Sequence, residues 1–222
     1  MRSVAILAGG QATRFGGRDK SALLVEGRTI LDRQLAELSS LSTDVLIVGG
    51  GPSSASDAAR LSADARNPTA RAKAEAHQAS GPAVRRVADL IPGCGPLGGL
   101  HAALTEAAGD TVFVVACDMP YLTAALGAFL LDLARDADLV LPRTEHGYHP
   151  LCAVYTRACL PPIVRRLADR RLMLRDLVAD VRARVVTVEE LTPFGDHDRL
   201  LANVNTLAEY AGLQTIYGHQ RP

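Results

Sequence analysis

Short apolar runs alternate along the chain with longer segments whose apolar residues recur at helical spacing. The runs are bounded by glycine, proline or polar residues, which is typical of buried strands. They predict strands at Val4–Leu7, Val45–Val48, Val84–Leu90, Val112–Cys117, Leu139–Leu141, Cys152–Tyr155 and Val185–Val188. Because strands that alternate with helices build βαβ units, the pattern predicts an α/β fold with a mainly parallel sheet.

The first helical segment follows a threonine that can cap it. Ile30, Leu31, Gln34, Leu35 and Leu38 place an apolar stripe on a helix of about three turns, and Thr29 can cap its start. The same periodicity predicts further helices at Leu97–Ala107, Leu122–Ala134, Ala158–Ala168, Leu172–Val181 and Leu207–Leu213.

The chain has 222 residues and a hydrophobic content of 48%, which suits a single α/β domain over residues 1–222. One stretch departs from the strand and helix rhythm. Residues 51–82 are rich in alanine, serine, arginine and proline and hold few large apolar side chains. We expect a mobile, partly helical insertion there.

Charge and cysteine usage narrow the functional class. Lysine and arginine equal aspartate and glutamate at 24 each, so no global basic field indicates a nucleic-acid partner. No apolar run reaches the length of a membrane span, and the segment before the first glycines is too short for a signal peptide. The spacing of Cys94, Cys117, Cys152 and Cys159 indicates buried thiols. We therefore expect a cytoplasmic protein without a membrane or nucleic-acid partner.

A segment rich in glycine and basic residues, Leu7–Lys20, begins at the end of the first predicted strand. Gly9 and Gly10 let bare N–H groups approach an anion, and Arg14 and Lys20 supply counter-charge. The spacing fits neither a Walker A loop nor a dinucleotide fingerprint, which argues against P-loop NTPases and classical NAD enzymes. The segment predicts a phosphate-binding loop of another type, and a turn with solvated charges is the alternative.

Asp118 directly follows the apolar run Val112–Cys117. Ligands of open α/β sheets bind outside the carboxyl ends of the strands, where this carboxylate would lie. A carboxylate in that place can hold Mg²⁺, a cation that prefers oxygen ligands and substrate phosphates. The alternative is that Asp118 caps the helix that is predicted to begin at Leu122.

Two further segments have a recognisable pattern. Residues 90–100 form a second glycine-proline loop between a strand and a helix, which turn chemistry alone would explain. Asn203 and Asn205 are two residues apart, so they point the same way from an extended segment, and Thr206 can cap the last helix. An asparagine-rich turn is the alternative for this segment.

Together these motifs resemble those of molybdenum cofactor guanylyltransferases, in the same order along the chain. The resemblance rests on the glycine-rich segment, on Cys-Asp-x-Pro around Asp118, on Gly-Pro-Leu-Gly-Gly at 95–99 and on Asn-Val-Asn-Thr at 203–206. It covers nearly the whole chain apart from residues 51–82. It implies a three-layer α/β/α Rossmann-like nucleotidyltransferase fold with a mostly parallel sheet. The nucleotide-binding half would be about residues 1–120 and the acceptor-binding half about 121–222.

The resemblance also implies roles for individual residues. Lys20, Arg14 and Asp118 would be catalytic, with Asp118 as the ligand of Mg²⁺. His149, Asn203 and Asn205 would bind the acceptor, although a lone histidine is more often a surface or packing residue. The nucleotide would bind at Leu7, Ala8, Gly9, Gly10, Lys20, Asp89, Gly95, Pro96, Leu97 and Asp118.

The implied reaction is transfer of GMP from GTP to molybdopterin, or to its molybdenum-bearing form, with release of pyrophosphate. An incoming phosphate is already a nucleophile near neutral pH, so the barrier is anion against anion and basic residues with Mg²⁺ would lower it. Molybdoenzyme maturation proteins are further expected partners. Transfer of CMP to the same pterin, transfer of a nucleotide to a sugar phosphate, and nucleotide binding without turnover remain alternatives.

Overall fold

The structure is a computed structural model that describes residues 1–8, 23–49 and 83–204. Within those residues a central sheet of eight strands is flanked by helices on both faces. Its strands are β1 (Arg2–Leu7), β4 (Asp44–Val48), β5 (Ala83–Val87), β6 (Thr111–Ala116), β7 (Leu139–Thr144), β8 (Gly147–Tyr148), β9 (Cys152–Thr156) and β10 (Ala183–Val186). A separate antiparallel pair is formed by β2 (Leu24–Val25) and β3 (Arg28–Thr29).

The strand order is β10-β7-β9-β6-β1-β4-β5, and β8 pairs with β7. Strands β5, β4, β1 and β6 are mutually parallel, as are β7 and β10. Strand β9 is antiparallel to both of its neighbours, β6 and β7. The mostly parallel sheet predicted from the sequence is therefore confirmed.

The helices are α1 (Ile30–Leu38), α2 (Gly95–Glu106), α3 (Ala124–Leu133), α4 (Leu160–Ala168), α5 (Val188–Leu191) and α6 (His197–Leu200). Buried residues on one face of the sheet pack with Leu38 of α1 and Leu126 of α3. Those on the other face pack with Leu100 of α2 and Ile163 of α4. Successive strand residues point to opposite faces, so each apolar strand supplies both clusters and the protein has three layers.

Several predicted elements differ from the observed ones in bounds or type, and three of them have a clear physical reason. The strand expected at Val84–Leu90 ends at Val87, because its neighbour β4 ends at the paired residue Val48. The helix expected at Leu172–Val181 is a 3-10 helix, Leu174–Ala179, whose buried Leu174 and Leu177 repeat every three residues. The strand expected at Val185–Val188 is Ala183–Val186, and Val188 begins α5.

The β2–β3 hairpin was not predicted, although its turn has a recognisable signal. Glu26 and Gly27 connect the strands with φ of 51° and 78°. A two-residue turn with positive φ at both positions suits the twist of an antiparallel pair, and glycine adopts this conformation readily. The cap of α1 was predicted correctly, because the Thr29 hydroxyl accepts a hydrogen bond from the Asp32 N–H at 3.0 Å.

The predicted helix Leu207–Leu213 and the predicted insertion at 51–82 lie outside the described residues. Among the residues that the structure describes, no helix is long and apolar enough to cross a membrane. All four cysteines are buried thiols, as expected from their spacing.

A polar network closes the amino edge of the sheet, where the parallel strands begin. Asp44 accepts hydrogen bonds from Ser3 Oγ at 2.6 Å, from the Ala108 N–H at 2.8 Å and from Arg85 Nε at 2.9 Å. Ser3 Oγ in turn accepts one from the Gly109 N–H at 2.9 Å. Burial alone would raise the pKa of Asp44, but these hydrogen bonds and the Arg85 charge outweigh it and lower the pKa.

Candidate active site

The carboxyl ends of four parallel strands are joined by backbone hydrogen bonds just beyond the last paired residues. The Ala8 N–H donates to Val48 O at 2.8 Å, and the Cys117 N–H donates to Leu7 O at 3.1 Å. The Gly49 N–H continues the pattern to Val87 O at 2.9 Å. This edge of the sheet is the place where open α/β sheets bind ligands.

The predicted phosphate-binding segment leaves the sheet at this edge. Leu7 is buried at the end of β1, and Ala8 is partly buried just after it. Gly9, Gly10, Arg14 and Lys20 lie outside the described residues. Their assignment to phosphate binding stays a prediction.

Asp118 lies in the turn after β6, two residues beyond Ala116, and is partly buried. Two hydrogen bonds from Gln34 Nε2 stabilise this turn, one to Ala116 O at 2.7 Å and one to Met119 O at 3.1 Å. Helix α3 is capped by the Thr123 hydroxyl, which accepts from the Leu126 N–H at 3.3 Å. The alternative role of Asp118 as the cap of this helix is therefore wrong.

Asp89 lies two residues beyond β5, rather than at the end of a strand as predicted. One of its carboxylate oxygens is buried and accepts no hydrogen bond from any described residue, and burial raises the pKa of Asp89. A Cβ added at Gly99 would lie 3.6 Å from that oxygen and 3.6 Å from the Leu7 methyl groups. The Asp89 carboxylate therefore lies close to the end of β1.

The segment Gly95-Pro96-Leu97 is the first turn of α2, whereas the sequence predicted a loop that preceded the helix. Gly95 has φ of 58°, and Pro96 stands in the first turn, where a missing N–H costs no helical hydrogen bond. Gly95 and Pro96 are exposed, but the Leu97 side chain is fully buried. Leu97 therefore presents no exposed surface to a ligand in this structure, and its assignment to nucleotide binding stays a prediction.

His149 lies in the turn before β9. Its Nε2 is 2.9 Å from Thr144 Oγ1, and its backbone N–H donates to Pro142 O at 2.9 Å. Burial lowers the pKa of His149, and the neighbouring imidazoles of His146 and His197 lower it further, against the carboxylates of Asp198 and Glu145. The environment therefore favours a neutral imidazole.

A cleft of about 420 Å³ brings the predicted acceptor residues together. Asn203 is exposed and lines this cleft together with His149. The next residue, Val204, is buried and donates its N–H to Asp118 O at 2.9 Å. This hydrogen bond connects the cleft to the turn that carries Asp118. Asn205 lies outside the described residues.

Sequence reasoning missed four side chains that line the same cleft: Thr144, His146, His197 and Asp198. They belong to no motif and come from two places far apart in the chain. A signal for one of them is present, since Asp196 precedes the short helix α6 and its side chain accepts from the Asp198 N–H at 3.0 Å. Nothing in the sequence shows that α6 packs beside the β7–β8 turn.

Proteins of known family resemble this chain over most of its length. A molybdenum cofactor guanylyltransferase of Desulfosudis oleivorans is 31% identical over 205 residues, which is 92% of this chain and 90% of that protein. A probable molybdenum cofactor guanylyltransferase of Pelotomaculum thermopropionicum is 34% identical and covers 97% of this chain and 93% of its own length.

Solved structures share the fold. The molybdopterin-guanine dinucleotide biosynthesis protein A of Archaeoglobus fulgidus has a TM-score of 0.71 at 21% identity, with 96% of this chain and 97% of that chain covered. A Mycobacterium tuberculosis protein that was solved in complex with manganese has a TM-score of 0.58 at 18% identity, with 96% of both chains covered. The model of the MobA-like NTP transferase domain matches residues 4–186, and this chain therefore belongs to that family of nucleotidyltransferases.

Proposed function

We propose that this protein transfers GMP from GTP to molybdopterin, with release of pyrophosphate, and so forms molybdopterin guanine dinucleotide. The names of its relatives support this activity. The observation that carries it is the hydrogen bond from the Val204 N–H to Asp118 O at 2.9 Å. This contact connects the turn that carries a carboxylate suited to a metal with the polar cleft that would hold the acceptor.

The donor nucleotide would bind over the ends of β1 and β4. Leu7 and Ala8 would place Gly9 and Gly10 against the triphosphate, and Lys20 and Arg14 would neutralise its charge. These roles follow from the residue types and the family resemblance. Neutralisation by fixed cations lowers the barrier to attack of one anion on another.

The guanine base would lie beside Asp89 and the first turn of α2. The Asp89 oxygen that accepts no hydrogen bond from the described residues suits the N–H donors of guanine. Gly95 and Pro96 are exposed and open to a base edge, and the fully buried Leu97 would hold this turn in place. Cytosine has fewer donors to offer a carboxylate, so this pair of features favours GTP.

Asp118 fits a divalent cation. Its partly buried carboxylate offers hard oxygen ligands at the carboxyl edge of the sheet, in a turn that Gln34 holds in place. We propose Mg²⁺, which when bound would neutralise the phosphates and align the in-line attack. Asp118 would position the α-phosphate, and pyrophosphate would leave on the side of the basic loop.

The acceptor phosphate would enter from the cleft. His149, Asn203 and Asn205 would bind and orient the pterin, and a neutral His149 imidazole can both donate and accept a hydrogen bond. No general base is needed, because a phosphate monoester is already an anion at neutral pH. The residues of this half would act by orientation alone.

We further propose a single domain over residues 1–222, with a donor half at about 1–120 and an acceptor half at about 121–222. The registered pairing of β6 with β9, from Thr111↔Thr156 to Val115↔Cys152, supports one continuous unit. Four buried thiols are typical of the reducing cytoplasm, where the product would pass to molybdoenzyme maturation proteins.

A matrix of nucleotides and acceptors tests the proposal. The purified protein with Mg²⁺ receives GTP, CTP or ATP, each with molybdopterin or with a hexose 1-phosphate, and pyrophosphate and the product mass are measured. We expect pyrophosphate only with GTP and molybdopterin. Turnover with CTP and molybdopterin would show that the protein is a cytidylyltransferase. Turnover only with the sugar phosphate would show that it is a sugar-phosphate nucleotidylyltransferase. Tight GTP binding without turnover on any acceptor would indicate a binding module.

A further inference from the structure

A group of metal-ligating side chains, most of which line the cleft, does not include Asp118. We propose that Glu145, His197 and Asp198 form a second metal site, with His146 as a fourth ligand that turns toward the ion, and that this site binds one transition-metal dication such as Zn²⁺, Co²⁺ or Ni²⁺. Two of these residues lie in the turn between β7 and β8, and the other two begin α6. The inference rests on the geometry of these residues and does not depend on the proposed reaction.

The distances within this group suit a metal better than they suit ion pairs. His197 Nε2 is 3.6 Å from Glu145 Oε2 and 3.6 Å from Asp198 Oδ1. His146 Nε2 is 3.8 Å from carboxylate oxygens of the same two residues. One ligand atom from each of Glu145, His197 and Asp198 lies within 4.8 Å of the others.

A four-coordinate metal would require separations close to these. Bonds of about 2.0–2.1 Å in a tetrahedral site place neighbouring ligand atoms about 3.3–3.4 Å apart. A charge-assisted hydrogen bond between an imidazole and a carboxylate would instead close to about 2.7–2.9 Å. Binding of an ion by Glu145, His197 and Asp198, whose ligand atoms lie within 4.8 Å of one another, would therefore require these side chains to move closer together, and His146 would have to turn toward the ion.

The His197 side chain, which is 25% exposed, supports the same site. Its Nε2 atom is buried and makes no hydrogen bond to any described residue. A buried ring nitrogen in a native structure has a partner in nearly all cases, and a metal ion would supply one. The atom faces the two carboxylates, so its lone pair would point toward the same ion.

The donor set also selects the class of ion. Imidazole nitrogen suits zinc, copper, iron and nickel, whereas Mg²⁺ prefers oxygen ligands and retained waters. The two carboxylates would cancel the charge of a dication, and the two imidazoles would bind it in their neutral form. This chemistry differs from that of Asp118, which offers oxygen alone.

The backbone already holds the two pairs of ligands in place. The His146 N–H donates to Thr144 Oγ1 at 3.2 Å, and the Asp198 N–H donates to Asp196 Oδ1 at 3.0 Å. The turn that carries Glu145 and His146 ends at Gly147, whose φ of 104° suits glycine. Binding would therefore order four side chains and leave the elements where they are.

Cobalt titration tests the site, because Co²⁺ bound by nitrogen and oxygen ligands gives visible d–d absorption. The protein is freed of any affinity tag and stripped with a chelator, and Co²⁺ uptake is followed by absorption and by metal analysis. We expect one equivalent to bind and to raise Tm by about 5 °C at saturating metal. Excess Mg²⁺ should not displace it, and displacement would overturn the proposal.

Variants identify the ligands. His197→Ala should weaken Co²⁺ binding at least about tenfold, since even outer partners of metal ligands cost about 10- to 100-fold. Glu145→Gln combined with Asp198→Asn alters two exposed side chains, so it tests the site without endangering the fold. His101→Ala, on α2, is the matched control and should bind Co²⁺ normally. Equal binding by the control and the cluster variants, or no uptake by the wild type, would overturn the proposal.

Discussion

Asp44 lies at the amino edge of the sheet and Asp89 at its carboxyl edge, and their surroundings differ in kind. Asp44 is buried and accepts three hydrogen bonds, from Ser3, Arg85 and the backbone of Ala108. Asp89 has a buried oxygen that accepts none from the described residues. The pKa of Asp44 is lowered as a result, whereas the pKa of Asp89 is raised by burial.

The difference separates residues that stabilise the protein from residues available to a ligand. At the amino edge each polar group in the network has a partner within the protein, so ionised Asp44 favours the folded state. At the carboxyl edge a desolvated carboxylate destabilises the folded state until a ligand supplies donors. Substitutions at the two edges should therefore affect different measurable quantities.

The largest expected effect is on turnover, at the carboxyl edge. Asp118→Asn should lower kcat/KM for GTP at least about 10³-fold, because a neutral amide is a weak ligand for a divalent cation that stabilises transition-state charge. The Tm should change by less than about 2 °C. Steady-state kinetics and thermal melts measure both, with exposed Asp136→Asn as the control. Full activity, or a loss of stability as large as that expected for Asp44→Asn, would contradict the view that carboxylates at the carboxyl edge serve a ligand and not the fold.

The next effect is on stability, at the amino edge. Asp44→Asn should reduce the free energy of unfolding by about 2–3 kcal/mol, because an amide N–H₂ would face the Arg85 guanidinium and leave donors without an acceptor. Urea denaturation at pH 7 measures it. The specific activity of the folded fraction should stay within about twofold of the wild type. A loss of activity without a loss of stability would contradict the structural role of Asp44.

The pH dependence of stability should follow from the lowered pKa of Asp44. A carboxyl group whose folded pKa lies below its unfolded value of about 3.9 stabilises the protein fully above about pH 5. That stabilisation is lost as the pH falls toward the folded pKa. Urea denaturation between pH 5 and pH 2.5 should show a steeper loss for the wild type than for Asp44→Asn. Parallel curves would show that Asp44 contributes nothing to acid unfolding.

A smaller effect of opposite sign is expected at Asp89. Its raised pKa means that the ionised form costs stability at neutral pH, a cost that disappears below the unfolded pKa. Asp89→Asn should therefore raise the free energy of unfolding at pH 7 by less than about 0.5 kcal/mol, since solvent screens this partly exposed carboxylate, and leave it unchanged at pH 3. The KM for GTP should rise. A destabilised variant with unchanged KM would place Asp89 with Asp44 among the structural carboxylates.

A comparably small effect should come from a surface ion pair at the amino edge. Arg2 and Asp132 are 2.7 Å apart, and their side chains are 41% and 61% exposed. Such pairs contribute about 0–1 kcal/mol, so Arg2→Ala should change the free energy of unfolding by less than about 1 kcal/mol. The change should shrink further in 0.5 M salt. A larger loss of unfolding free energy would show that surface ion pairs stabilise the amino edge as well as the buried network does.

Much of the fold could be predicted because strands β1, β4 and β6 are continuous apolar runs. Asp118 could be placed at the carboxyl edge for the same reason, since it directly follows one of them. The amino-edge network could not be predicted. Ser3 is 41 positions from Asp44 and 106 from Gly109, and only the pairing of β1 with β4 and β6 brings them together.

The cleft shows the same limit. Asn203 was found through its local motif, whereas His197 acquires its place only when α6 packs beside the β7–β8 turn. Short elements such as β2, β3 and α6 carry too few residues for a periodic pattern to appear. Tertiary contacts decide their positions, and one sequence does not reveal those contacts.

The reversed direction of β9 has a consequence for how such a protein can be altered. Because β9 begins beside the end of β6, with the Ala116 N–H donating to Leu151 O at 2.9 Å, residues 145–151 reach the ligand edge from the start of a strand. They connect β7 and β9, which pair with each other. This pairing fixes both ends of the segment, so the segment can be exchanged without moving either strand. Exchanging that segment with a relative's should change what the cleft binds and leave the carboxyl ends of β1 and β4 as they are.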